Sequence, residues 1–424
     1  MLVFYSLALT LVVVAGAPYW LFRMATSGKY REGLGERLGL VPKRLVPKRL
    51  LTPDAQPTIW VHAVSLGEVV AATRLIEELS ARAPGSKVVI STTTRTGQKL
   101  ARERFGADRV FYFPLDFAFA VRAYLHALQP RMLVLLESEF WPRLLVECRH
   151  AQIPVAVVNA RVSDRSWPRY LRLRLLWKRL LNGLSLVLAQ SPLDAERLTA
   201  IGASNVRVGG NFKYDVRVAE TAPLTEALRK HLPAGVKVVV CGSTLAGEEE
   251  MLLDLMPPDV VTILAPRHPE RFNAVAELLR KRNARFVQRS KWIHAPHRLE
   301  PGTVFLLDSI GELASVYSLA DVAFLGGSLV AWGGHNPLEP AQFGVPVMMG
   351  PNYANFRGIV EELRAHQAIA IAEAAEMRAA LGHLLADEAA TKAMGERARE
   401  VFLSEAGATT RAVDALLNVL GAPQ

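Results

Sequence analysis

A chain of 424 residues is too long for one ordinary hydrophobic core, so two domains are expected. Its only cysteines, Cys148 and Cys241, show no CxxC spacing, which argues against a disulfide framework and a zinc site and fits a reducing, cytosolic setting. A formal net charge of +10 asks for an anionic partner, and where the charge lies decides which kind.

The first predicted element is membrane-spanning. Residues Leu2 to Phe22 carry no charged side chain, and about 20 such residues suffice to cross a bilayer core as a helix. Tyr19 and Trp20 suit a membrane interface, and the basic stretch of a cleaved signal peptide does not precede them. Behind this segment Arg23, Lys29, Arg31, Arg37, Lys43, Arg44, Lys48 and Arg49 outnumber Glu32 and Glu36 by six. Such a flank stays cytoplasmic, so the expected location is a single pass of the inner membrane, amino terminus outward and main body on the cytoplasmic face. VPKRL occurs at Val41–Leu45 and again at Val46–Leu50, and its prolines exclude a continuous helix. It reads as a basic juxtamembrane linker outside the core, either a solvated loop or a dock on anionic inner-leaflet lipid. Nucleic acid is disfavoured as a partner, because the excess sits beside the apolar segment and no aromatic and basic RNA-binding motif follows.

From Thr58 short apolar runs alternate with amphipathic stretches: IWVHAV, KVVIST, RMLVLLE, PVAVVNA and LSLVLAQS. The cycle pauses over Val216 to Leu232 and restarts with VKVVVCGST, VVTILAPRH, TVFLLDS, DVAFLGG and PVMMGP. This predicts an α/β protein of parallel sheets with right-handed crossovers: two Rossmann-like domains facing a cleft, preceded by an N-terminal transmembrane helix. The expected boundaries are 1–50 for anchor and linker, 51–215 for the first domain, 216–235 for an interdomain linker and 236–424 for the second domain with its terminal helices. Neither half carries GxGxxG after its first strand, which disfavours a dinucleotide.

In open α/β sheets ligands collect beyond the carboxyl ends of strands, so the polar residues there are the candidates. Glu68 of Ser65-Leu66-Gly67-Glu68 falls on the first turn of a helix, whose dipole is expected to keep it ionised and able to accept a proton; the plainer role is to satisfy that dipole. Glu137 and Glu139 leave the predicted strand RMLVLLE, where alternation would send both to one side, and Lys213 is a candidate partner. A structural ion pair is the plainer account. Arg267, after Pro266, has the fork geometry for a phosphate, and Ser309-Ile310-Gly311-Glu312-Leu313 offers backbone N–H groups. Gly326 and Gly327 lack the Cβ atoms that would hold a phosphate away, and Ser328 adds a hydroxyl donor. Asn336 can cap a helix opened by Pro337, with Leu338 and Glu339 on its first turn and the Glu339 carboxylate available to ribose hydroxyls. His268 and His335 read as hydrogen-bonding residues, and no DxD motif gives a reason to place Mg²⁺.

The motifs SLGE, ESEFWP, NARVSDRS, GNFKYD, GSTLAGEEE, PRHPERF, SIGEL, GGHNPLEP and GPNYANF, in this order within about Tyr30 to Phe356, closely resemble those of the Kdo transferases. Those enzymes move 3-deoxy-D-manno-octulosonic acid from CMP-Kdo to the lipid A precursor. The resemblance implies the GT-B fold, with acceptor bound by the first domain and CMP by the second, and a single inverting displacement. It implies Glu68 as general base and Glu137 and Lys213 as transition-state stabilisers. Donor contacts would come from Pro266, Arg267, Gly311, Glu312, Leu313, Asn336, Pro337, Leu338 and Glu339. CMP-Kdo and lipid IVA are then the expected partners, with no cofactor and no metal dependence. A GT-B glycosyltransferase or epimerase using a UDP-sugar is the alternative.

Overall fold

The computed structural model describes residues 2–27, 31–45 and 57–421. The chain forms two compact units, residues 1–216 with 407–424, and residues 217–406.

Unit 1 is built on β1 (Thr58–His62), β2 (Lys87–Thr92), β3 (Val110–Tyr112), β4 (Pro130–Leu136), β5 (Val155–Ala160), β6 (Leu186–Ala189) and β7 (Val206–Val208). They pair in parallel in the order β3-β2-β1-β4-β5-β6-β7. Strands covered on both faces are apolar over most of their length, and β1 is buried at all five positions, with the polar residues Thr58 and His62 only at its ends. One face packs Trp60, Leu133, Val157 and Leu144; the other packs Val61, Val134, Leu75 and Leu79.

Unit 2 repeats the plan with β8 (Val238–Thr244), β9 (Val261–Pro266), β10 (Phe286–Gln288), β11 (Val304–Leu306), β12 (Val322–Leu325), β13 (Val347–Met349) and β14 (Ile369–Ile371). The order is β10-β11-β9-β8-β12-β13-β14, again parallel. In each sheet the strand order reverses at one point, between β1 and β4 and between β8 and β12. Ligand sites of doubly wound folds lie beyond the strand ends there.

Two expected boundaries are corrected. The stretch 216–235 is not a linker: the helix Pro223–His231 buries Leu224 and Leu228, and Thr225 bonds to Ser315 of the same unit at 3.0 Å. The last helix, Ala408–Gly421, belongs to unit 1 because Ala408, Ala412, Val413 and Leu416 fill one face of that unit's core. Asp215 fixes its start by accepting from the Gly407 and Thr409 N–H groups, both at 2.6 Å.

The helix Leu2–Ser27 is long and apolar enough to cross a membrane, with mean hydropathy 1.9. Its Tyr5 hydroxyl donates to Asp116 Oδ2 at 2.8 Å. The second VPKRL copy lies outside the described residues. The first is no free linker, since Leu45 is buried in the unit 1 core and Arg44 donates to Ala107 O, Val110 O and Glu36. Arg37 likewise donates to Thr93 O at 2.6 Å and lies over the Tyr112 ring. Part of the charge that the sequence offers to lipid is therefore spent inside the protein.

Candidate active site

The β1/β4 reversal brings the expected carboxylates of unit 1 together. Ser65 caps the helix Leu66–Arg82, and Glu68 is the third residue of that helix. Its Oε2 accepts from the Val64 N–H at 2.8 Å and its Oε1 from the Ser65 hydroxyl at 3.0 Å, while the Glu68 N–H donates back to Ser65 Oγ at 3.4 Å. This reciprocal cap fixes the carboxylate. Gly97 lets the following loop approach, because a Cβ there would stand 3.1 Å from the Ser65 carbonyl carbon.

Burial pushes the Glu68 carboxyl up to about 7; the Val64 bond opposes this, and the charge of Glu137 and then, after the opposing Ser65 bond, Glu139 adds to it. The expectation that the helix dipole keeps Glu68 fully ionised is corrected: desolvation wins over the helix terminus.

Glu137 and Glu139 follow β4, but not by strand alternation. β4 ends at Leu136, Glu137 adopts a left-handed φ of 55°, and the Ser138 hydroxyl turns back to the Arg161 carbonyl. Burial, then Glu137, raises the Glu139 carboxyl. Lys213 sits on the short 3-10 turn Phe212–Asp215, held by Asn211, whose Oδ1 accepts the Lys213 N–H at 3.0 Å. Its ammonium is lowered by burial, raised by Glu137 and lowered again by Arg161. Glu68, Glu137, Glu139, Lys213 and Arg161 thus form one electrostatic cluster. The part of Arg161 was missed in sequence; its only signal was the motif NARVSDRS after β5.

In unit 2 the glycine loop after β12 does not present a vacant cradle. The fully buried Glu248 carboxylate accepts from Gly327 N–H at 2.7 Å, Ser328 N–H at 3.1 Å, Leu329 N–H at 2.9 Å and Leu245 N–H at 2.9 Å. An internal anion fills the place expected for a phosphate. Ser328 is equally committed, its hydroxyl donating to Leu325 O and accepting the Gly350 N–H. Gly326 answers a different need: a Cβ there would lie 2.4 Å from Ser243 O of the neighbouring strand end.

The remaining candidates border this plug. Arg267, exposed at the end of β9 after buried Pro266, donates its N–H to Thr244 O at 3.0 Å and leaves its guanidinium toward solvent. It is an electrostatic neighbour of His335 and Glu339. His335 is lowered to about 4 by burial and then by Arg267 and His268, so it is neutral at pH 7. Burial raises the Glu339 carboxyl, against Asn336 and Arg267.

The helix expected at Pro337 is a single turn, Leu338–Ala341. Asn336 Oδ1 takes the Leu338 N–H at 3.2 Å, and Pro337 and Pro340 have none to give. So short a turn carries little dipole. Gly311 stands exposed at φ +91°, beside half-buried Leu313. Glu312 is paired to Arg289 at 2.6 Å and bonded to the Ser309 hydroxyl.

The family model described as 3-deoxy-D-manno-octulosonic-acid transferase (kdotransferase) matches residues 32–216. A 3-deoxy-D-manno-octulosonic acid transferase of Haemophilus influenzae is 35% identical over 92% of each chain. One of Bordetella pertussis is also 35% identical, over 95% of this chain and 96% of its own. Among solved structures, a glycosyltransferase of Rickettsia africae superposes with a TM-score of 0.58 at 13% identity, covering 86% of this chain and 98% of its own, which shows the shared fold. The expected fold class, α/β of GT-B type behind an apolar amino-terminal helix, holds.

Proposed function

The chain belongs to the 3-deoxy-D-manno-octulosonic acid transferases, and from that membership we propose that it transfers Kdo from CMP-Kdo to the lipid A precursor lipid IVA in lipopolysaccharide biosynthesis. The observation that carries the chemistry is the Glu68 carboxyl, fixed by Val64 and Ser65 at the β1/β4 reversal and titrating near neutrality. A base with a pKa near the working pH combines a useful ionised fraction with useful basicity.

In this reading the acceptor hydroxyl oxygen attacks the anomeric carbon of Kdo, its proton passes to Glu68, and the bond from that carbon to the CMP phosphate oxygen breaks. Positive charge growing on the sugar ring is met by Glu137, which Lys213 holds in place. Arg267 neutralises the departing phosphate, and Glu339 accepts from the ribose hydroxyls. Pro266, Gly311, Glu312, Leu313, Asn336, Pro337 and Leu338 shape the CMP pocket. A single phosphate needs no metal ion when a guanidinium meets it, so transfer is metal-independent.

The helix Leu2–Ser27 spans the inner membrane once, amino terminus outward, with basic residues beside it on anionic lipid and no nucleic-acid partner. Insertion in this sense separates Tyr5 from Asp116. Val3→Cys should react with an impermeant maleimide from outside spheroplasts; protection there would mean that the helix stays along unit 1.

Mass spectrometry of lipid IVA incubated with protein, CMP-Kdo and a chelator tests the reaction. Mass gain in Kdo steps is expected. Unchanged acceptor with intact CMP-Kdo, with or without added Mg²⁺, overturns the assignment in favour of another donor such as a UDP-sugar.

A further inference from the structure

We propose that the helix pair Trp167–Arg172 and Arg174–Leu181 is a second membrane-docking element that enters the headgroup region of an anionic phospholipid bilayer beside the acceptor site; this rests on the lipid-acceptor reading above. The segment Leu171-Arg172-Leu173-Arg174-Leu175 is exposed at every position. Leu171 is 42%, Leu173 49% and Leu175 74% exposed, so three large aliphatic side chains within five residues stand in water. Contiguous apolar exposure of this kind marks a surface that something covers.

The pair is rooted rather than loose. Its first helix buries no residue fully, while the second sinks Leu180 and Leu181 into the core. Between root and tip, Tyr170 and Trp177 pack at 4.9 Å and both lie against Phe140. The leucines are therefore carried on an aromatic wedge.

Charge selects the partner. Arg165, Arg169, Arg172, Arg174, Lys178 and Arg179 are all exposed, and no ion pair among the described residues engages them. Asp164, just before them in the chain, is held by Arg197 at 2.7 Å. Basic side chains interleaved with leucine, tryptophan and tyrosine are the composition of an interfacial helix: cations reach lipid phosphates while aliphatic groups enter the acyl boundary. A nucleic acid would match the charge but leave the leucines wet, since it binds through planar stacking and hydrogen bonding.

Position gives the surface a purpose. The pair follows β5, which runs parallel to β4 in the sheet and neighbours it, so it emerges from the same edge as Glu68 and Glu137. The charge of Glu139 contributes to raising the Tyr170 hydroxyl, after burial, so the wedge adjoins the carboxylate cluster. A bilayer seated on the wedge brings its headgroups to the residues that activate the acceptor.

The full chain tests this directly, because Cys148 and Cys241 are both buried. Leu173→Cys labelled with an environment-sensitive fluorophore should blue-shift on phosphatidylglycerol vesicles and be quenched by brominated acyl chains, the shift weakening in high salt. A probe that stays in water on those vesicles overturns the proposal, as does a shift with RNA instead. In parallel, Arg172→Gln with Arg174→Gln should slow transfer to acceptor in anionic vesicles about thirtyfold, removing roughly 1 kcal/mol per charge near the lipid, while sparing detergent-dispersed acceptor. Equal loss in both assays overturns it. Absence of transfer in wild type with either acceptor would instead strike the assignment of the reaction, and the probe would still report docking.

Discussion

At the scale of single residues, burial decides the chemistry of Glu68. Its folded carboxyl stands near 7, above the ordinary 4.5, so the stability tied to its proton is fully present below about pH 4.5 and is lost as pH rises through about 7, roughly 3 kcal/mol in all. Activity should run the opposite way, rising with pH to a plateau above 7 as the base ionises. Glu68→Gln should keep CMP binding and much of the cap yet lower transfer by about 10²- to 10⁴-fold; calorimetry with CMP beside single-turnover rates separates the two, and full transfer by the variant would remove Glu68 from the mechanism. Glu248 has the contrary role. Glu248→Ala strands four backbone N–H donors, each worth about 1–3 kcal/mol when buried without a partner, so urea melts should show a loss of more than about 3 kcal/mol. The SLGE glutamate was legible because a strand, a glycine and an acid occur in a row. The Glu248 plug was not, since three of its four partners lie about 80 residues onward and only the β8/β12 reversal joins them.

At the scale of elements, the long central strands were readable and the edges were not. β3, β7, β10 and β14 are three residues each and form the open ends of their sheets; the equally short β11 and β13 were read because they pair nearer the centre within the apolar runs TVFLLDS and PVMMGP. The polar pause at Val216 to Leu232 hid the helix Pro223–His231, whose few apolar contacts alternate with charged residues. The returning helix Ala408–Gly421 shows why a terminal element must be assigned by its contacts. Leu416→Ala should destabilise unit 1, by about 2–5 kcal/mol, with little effect on unit 2, because the lost contacts belong to the first core. Hydrogen exchange resolved by unit would read this directly; equal deprotection of both units would contradict it.

At the scale of the whole molecule, the apolar amino-terminal helix and the basic surfaces serve, in the proposed reading, access to a lipid acceptor rather than bond making. Deleting residues 1–27 should reduce transfer to acceptor in vesicles more than transfer to detergent-dispersed acceptor, and an equal loss would assign the helix a role in folding unit 1. The duplicated VPKRL shows how a charge count misleads: Arg44 and Leu45 serve unit 1, while the exposed arginines from Arg165 to Arg179 carry unspent charge in a stretch that reads as ordinary amphipathic helix. The sequence by itself determined the class of fold, the family and the identity of the candidate base, because alternating apolar runs and short motifs are local properties of the chain. The tertiary structure alone decided the protonation of Glu68, the anion that occupies the glycine loop, the unit to which the last helix belongs and the leucines left in water. Each of these depends on which distant residues remove solvent from a group, and no local pattern records that.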